Sequence, residues 1–427
     1  MENVMKFLEQ QKLRSYDIDM EKLVGIFTEE MINGLEGKKS SLRMIPTYIE
    51  ADNDFLTDTP VLAIDAGGTN FRAALIRFSR SGKIEYDKIV NERMPGLDSE
   101  VSAKEFFRIL ADYIKSLAER TDRIGFCFSY PTEILPNRDG KLIQFCKEVQ
   151  APEVVGQLIG KNLLEALGTP RKRLVLLNDT VATLLAGKSA SLNKSYDSFI
   201  GFILGTGTNT CYIEHNHKIV KNKNLNQDRT QIINIESGNF GKAPRTDLDL
   251  VFDNSTMNPG NYTFEKMFSG GYFGGLCLSV LKAAAAEDIF SEQMSSDLMN
   301  VTELSSNDAN SLVSNQSPEK GILNGFLRGR QDEVSCKAII NSLIDRAAKL
   351  VAANIASVVL KTDKGKFPGR PILITIEGTA FYKLHNLKGL FEKYFTEYLT
   401  GENKRYVEFT EVPQSSLIGA ALAGLIN

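Results

Sequence analysis

The residues of this chain best suited to chemistry stand directly after short apolar runs. Asp179 follows the run 174–177 and opens an apolar helix at 181–186. In an open α/β sheet the carboxyl ends of strands are where ligands bind, and a carboxylate there can take a proton from a substrate hydroxyl. Asn178 and Asp179 are equally good N-caps for that helix. Glu236 follows another run and precedes Ser237 and Gly238, Glu265 opens the segment TFEKMFSGGYFGGL, and Lys147 follows the run 142–145. Taken singly, such residues are dipole partners or solvated charges. Their clustering after strand ends is what points to a polar binding site.

A second kind of chemistry lies in LAIDAGGTNFRAAL at 62–75. A strand runs into Asp65, Gly67, Gly68, Thr69 and Asn70 and out into a second strand. Paired glycines let backbone N–H groups approach an anion, because no Cβ intervenes. Asp65 can hold a hydrated Mg²⁺. An ordinary Gly-rich hairpin has the same look. The pattern recurs in FIGFILGTGTNTCYI at 199–213, where setting Gly68-Thr69-Asn70 on Gly207-Thr208-Asn209 also aligns the flanking strands. Two related strand–turn–strand units imply two lobes with a phosphate ligand clamped between their turns.

The elements that must position these residues alternate strand and helix. Residues 1–47 read as helical, 103–120 as an amphipathic helix, 124–128 as a strand, 153–167 as a helix and 174–177 as a buried strand. After the second hairpin come a strand at 232–235 and a Ser/Asn-rich stretch, 291–318, expected to be a flexible surface insertion. A long helix at 337–361, strands at 372–376 and 407–410 and a closing helix at 417–426 complete an α/β chain. The expected division is a helical segment, 1–57, packed on the large lobe; a small lobe, 58–190, joined by the C-terminal helix 417–427; and a large lobe, 191–416.

The length allows two or three domains, and the net charge of −3 argues against a nucleic-acid binder. No apolar run is long enough to span a membrane, and the charged N-terminus has no secretion signal. Five scattered cysteines favour reduced thiols, so the expected location is cytoplasmic. Gly187-Lys188-Ser189 is not a P-loop, because the required first glycine is Ala182. His215 and His217 lack companion ligands at metal-binding spacing.

Together these stretches resemble the hexokinase family of ATP-dependent sugar kinases. The likeness runs from about residue 20 to 427 and is carried by LAIDAGGTNFRAAL, FCFSYP at 126–131, LLNDTVATLLAG at 176–187, ILGTGTNTCYIE at 203–214, NIESGNFG at 234–241 and NPGNYTFEKMFSGGYFGGL at 258–276. The resemblance implies the two-lobed, actin-like (ribonuclease H-like) ATPase fold, each lobe a mixed sheet flanked by helices, with the active site in the cleft. It implies that ATP and Mg²⁺ serve a hexose, glucose first, as a monomer or homodimer. Asp179 then matches the catalytic base, supported by Lys147. Ser129, Cys146, Lys147, Asn178, Asn209, Glu236 and Glu265 match the sugar-binding positions. Asp65, Gly67, Gly68, Thr69, Asn70 and Arg72 match the first phosphate motif and Gly205, Thr206 and Gly207 the second. Gly378 and Thr379 in IEGTAFYKLH match the segment near the adenosine.

An ordinary aspartate pKa near 3.9 leads one to expect Asp179 ionised at neutral pH. Three departures from the family stand out. Phe145-Cys146-Lys147 replaces Trp-Thr-Lys, and a thiol is the weaker donor. Ser237 replaces a Trp, and the chain contains no Trp at all. Ser415-Ser416-Leu417-Ile418-Gly419 replaces the glycine-rich loop bordering the nucleotide. A catalytically weak or inactive sugar sensor on the same fold is therefore the alternative reading. Another actin-like ATPase would leave the Lys147, Asn178, Asp179, Glu236 and Glu265 set without a reason.

Overall fold

The computed structural model describes residues 2–50, 54–145, 149–190, 194–314 and 321–426. Cys146 and Lys147 lie outside the described residues. Thirteen strands are described: β1 (Ile45–Pro46), β2 (Val61–Gly67), β3 (Asn70–Phe78), β4 (Ile84–Arg93), β5 (Arg123–Phe128), β6 (Thr132–Ile134), β7 (Gly140–Leu142), β8 (Arg173–Leu177), β9 (Ser198–Leu204), β10 (Thr208–His215), β11 (Thr230–Asn234), β12 (Ile372–Glu377) and β13 (Val407–Thr410).

The small lobe is a five-stranded sheet, β4-β3-β2-β5-β8. β3 is antiparallel to β2 and β4, while β5 and β8 continue parallel. The large lobe repeats the pattern: β11-β10-β9-β12-β13, with β10 antiparallel to its neighbours and β12 and β13 parallel, plus the short β1 at the outer edge. The duplication implied by the two Gly/Thr hairpins is thus a duplication of whole sheets. Strands β2, β5 and β12 are apolar and buried nearly throughout, as parallel strands covered on both faces must be. Edge strand β4 is charged and largely exposed, which discourages pairing with another sheet.

Each half also places a helix after its last strand, Asp179–Ala190 and Ser415–Leu425, and these two pack against each other. They are exchanged between the lobes. The first falls within the expected small-lobe span 58–190, yet its contacts run mainly to β9 and β12 of the large sheet; the second lies on β2 and β5 of the small one. Close approach depends on a missing side chain: a Cβ on Gly419 would stand 2.0 Å from the Ala182 carbonyl oxygen.

The N-terminal region is less uniformly helical than its periodicity implies. Helices Glu2–Gln10 and Met20–Glu36 bury Phe7, Phe27 and Met31 in the large-lobe core, and the chain then adds β1 to that sheet. The stretch 291–318, expected to be flexible, contains two helices, Glu292–Asn300 and Ser306–Ser314. Its Ser/Asn composition hid an apolar face: Met294, Leu298 and Leu312 are buried, and Ser291 caps the first helix by accepting the Met294 N–H. Residues 315–318 lie outside the described residues. No helix among the described residues is long and apolar enough to cross a membrane.

Candidate active site

The first turn is a tight hairpin in which Gly67 pairs with Asn70 and Gly68 adopts φ 57°. Its carbonyls are tied back. Gly68 O accepts the Tyr130 hydroxyl at 2.8 Å, and Thr69 O accepts the Met94 N–H at 3.0 Å. Because a trans peptide points its N–H opposite to its carbonyl, anchoring Gly68 O turns the Thr69 N–H toward the other side. The second turn, Gly205-Thr206-Gly207, is one residue longer: Leu204 pairs with Thr208. Asn70 and Thr208 both open their second strands, so Asn209 stands one position further along than the sequence superposition placed it. Here Gly270 N–H holds Gly205 O and Gly271 N–H holds Thr206 O, each at 2.8 Å. The Thr206 and Gly207 amides therefore face away, and among the described residues neither has a protein acceptor. Gly378 packs on this turn at φ 113°, where a Cβ would lie 2.3 Å from the Leu204 carbonyl, and Thr379 starts the next helix.

Asp65 and Arg72 are register partners on β2 and β3, and this places a salt bridge between them. Arg72 Nε donates to Asp65 Oδ2 at 3.0 Å, with a second bond from the guanidinium. Ser129 leaves β5 beside Gly67 and donates its N–H to Ala66 O at 3.0 Å.

The sugar-site candidates converge across the lobes. Asn178 follows β8 and Asp179 opens the helix. Both side chains accept the Thr180 N–H, at 2.9 and 2.7 Å, so the capping role is real and uses one Asp179 oxygen. Asn209 on β10 lies 3.5 Å from Asn178 Oδ1 and donates to Asn234 Oδ1 at 2.7 Å; Asn234 in turn donates to Glu236 Oε1 at 2.8 Å. This relay links the small-lobe strand end to Glu236, whose backbone is held in the left-handed region at φ 61°, uncommon for a non-glycine residue. Glu265 Oε2 accepts the Thr208 N–H at 2.8 Å from the second phosphate turn.

The carboxylates are not ordinary. Burial pushes Asp179 up to about 7, against the Thr180 hydrogen bond and helped by the charges of Glu377, Asp65 and Glu236. Glu265 is likewise pushed up to about 7 by burial, then by Glu236, and burial raises Glu236. The expectation of a fully ionised Asp179 at neutral pH is therefore corrected. The model-peptide value ignores the desolvation imposed by two lobes. The arrangement stores acid–base capacity close to neutrality and offers amides and carboxyls to a neutral polyol.

Two contributors escaped the sequence reading. Asn234 ends β11 only two residues before Glu236, and that closeness along the chain was a usable signal. Glu377 ends β12, and its carboxylate accepts the hydroxyls of Thr183, at 3.0 Å, and Ser415. The strand-end rule that found Asp179 applies to it equally. Ser237, where the family carries Trp, is buried, its hydroxyl 3.1 Å from that of Thr210, which also bonds Asn354 of the long helix Arg330–Thr362. The four described cysteines are buried and free, and His215 and His217 stack on each other.

Comparison with known proteins agrees with this geometry. Two hexokinase sequence models match, one over residues 4–189 and one over 199–426. Hexokinase-10 of Oryza sativa subsp. japonica is 31% identical, over 89% of this chain and 80% of that protein. Hexokinase-3 of Rattus norvegicus is 29% identical over 88% of this chain, which spans 42% of that longer protein. The structure of Schistosoma mansoni hexokinase complexed with glucose superposes with a TM-score of 0.78 at 22% identity, covering 99% of both chains. The duplicated sheets are those of a two-lobed sugar kinase fold. With both halves of the sequence matched, this chain belongs to the hexokinase family.

Proposed function

We propose that the protein transfers the γ-phosphate of ATP to the 6-hydroxyl of a hexose, with glucose as acceptor and Asp179 as general base. One observation carries this reading: a half-buried carboxyl, pushed up to about 7 by desolvation, stands at the lobe junction beside the Asn178–Asn209–Asn234–Glu236 relay. A base with a pKa near the working pH combines availability with driving force. Phosphoryl transfer needs positioning and charge stabilisation more than covalent help. The Thr206 and Gly207 amides of one turn and the Thr69 amide of the other supply donors for phosphate oxygens.

Asp65, Asp179 and Glu377 provide the oxygen donors that Mg²⁺ favours. Bound there, Mg²⁺ would neutralise charge on the β- and γ-phosphates. Asn209, Asn234, Glu236 and Glu265 would bind and orient the sugar. A hexose lacking one hydroxyl leaves a buried polar group unpaired and is rejected.

A coupled assay of ADP formation with glucose and Mg-ATP tests the reading, with Asp179→Asn as the control. Turnover lost in the variant with glucose binding kept supports it. Turnover retained in the variant refutes the role of Asp179. Glucose binding without turnover in the parent protein gives the sugar-sensing alternative.

A further inference from the structure

One group of small-lobe cations gathers around the start of β8, at the opposite end of that strand from Asp179. A cavity of about 600 Å³ is lined by Arg123, Arg138, Lys161, Lys172 and Arg173. An adjoining one of about 730 Å³ shares three of these and adds Arg171. The chain as a whole carries a net charge of −3, so this concentration of positive charge is local.

The acidic groups on the walls are already engaged. Asp139 is buried and accepts the N–H groups of Gly140, Gly160 and Lys161 at 2.7–2.9 Å, so its charge is spent on capping the helix Ile159–Ala166. Asp122 pairs with Lys172 at 3.0 Å and Glu165 with Lys161 at 3.8 Å. The side chains of Arg138, Arg171 and Arg173 have no hydrogen-bond or ion-pair partner among the described residues. Elsewhere arginines of this protein find carboxylates, as Arg72 finds Asp65 and Arg346 finds Asp249. Here Arg173 instead stands near Arg123, whose charged form is disfavoured by burial and then by Arg173. Arg138 sits at φ 65°, an uncommon backbone for a side chain of its size.

Like charges gathered on a concave surface are what an anion relieves. Guanidinium forks match phosphate oxygens in pairs. A volume of about 600 Å³ suits a small organic molecule. We infer that the cavity lined by Arg138 and Arg173, with Arg123, Lys161 and Lys172, is a second binding site, for a small phosphate-bearing anion, separate from the sugar and nucleotide cleft. Strand β8 sets the separation: Arg173 begins it and Asp179 lies just beyond its other end, roughly 15–20 Å away at strand rise. Arg138 also lines a smaller cavity with Tyr48, Asn216 and Gln231 on the large-lobe side, so an anion on Arg138 would bear on the lobe junction.

Calorimetric titration of the full chain in physiological salt tests this, with inorganic phosphate and glycerol 3-phosphate as probes. The parent protein should bind one of these saturably at a site that persists in Arg72→Ala, a variant of the first phosphate turn. In Arg138→Ala/Arg173→Ala, affinity at that site should fall by roughly tenfold or more. Phosphate should raise the melting temperature of the parent and not of the double variant, whose own melting temperature should be no lower than the parent's, because repulsion is relieved. Equal affinity in parent and double variant, or no saturable heat up to roughly 10 mM probe, overturns the inference. So does tighter binding of phosphatidic acid vesicles or single-stranded RNA that the double variant abolishes, since either would make the patch a surface for a larger partner.

Discussion

Replacing Asp179 by Asn should make the resting protein more stable while stopping the reaction, and the size of the gain should depend on pH in a defined way. In the folded chain the Asp179 carboxyl is pushed from 3.8 up to about 7, burial being the main cause. Between these values the folded protein holds a proton that the unfolded chain has released. Wild-type stability therefore falls as pH rises through that interval and levels off above it. Each unit costs about 1.4 kcal/mol, so the full span is worth about 4 kcal/mol. Asn carries no charge at any pH, and its side-chain oxygen can still accept the Thr180 N–H. The stability gap between variant and wild type should be near zero at pH 4, about 1–2 kcal/mol at pH 5 and about 4 kcal/mol at pH 8. Glu265, also pushed up to about 7 mainly by burial, titrates in both proteins and largely cancels, since the charge of Asp179 is only the last of the causes of its shift. Urea unfolding of both proteins at these pH values measures the gap, and kcat should fall by about 10²–10⁴ in the same variant. A gap that does not change with pH would show that Asp179 is not desolvated as described.

The same titration should appear in catalysis: kcat/KM for glucose should rise with pH on an acid limb centred near 7, and a limb near 4 would contradict the buried base. Tyr130→Phe deletes only the hydroxyl that anchors Gly68 O; KM for ATP should rise by roughly fivefold, from about 1 kcal/mol, with KM for glucose unchanged. Asn234→Ala frees both Asn209 and Glu236, so KM for glucose should rise by tenfold or more, from about 1–3 kcal/mol, in steady-state kinetics. Gly419→Val places a side chain against the Ala182 carbonyl and should lower stability by about 3 kcal/mol or more, visible as a depressed melting temperature.

What could be read from the chain follows the range of the interactions involved. Both Gly/Thr hairpins were legible because a strand, its turn and its partner strand are contiguous. Asp179 was legible because a carboxylate after a buried strand stands out locally. Glu377 carried the same local signal at the end of β12, but the partners that tie it to the site, Thr183 and Ser415, lie 194 and 38 residues away. The elevated Asp179 carboxyl was invisible for the same reason, since its burial comes from packing between distant parts of the chain. The helices at 292–300 and 306–314 were lost behind a polar composition whose few apolar residues carry the packing.

The exchanged helices set the order in which the protein can be completed after synthesis. The small-lobe sheet is finished by residue 177, yet its face on β2 and β5 is covered by the chain's last helix. That apolar face, with Val61, Ala63 and Cys127, stays uncovered until Leu417, Ala421 and Leu425 have left the ribosome. The lobe made first thus waits for a distant segment to seal it, and removing the helix Ser415–Leu425 should leave it a target for chaperones and proteases.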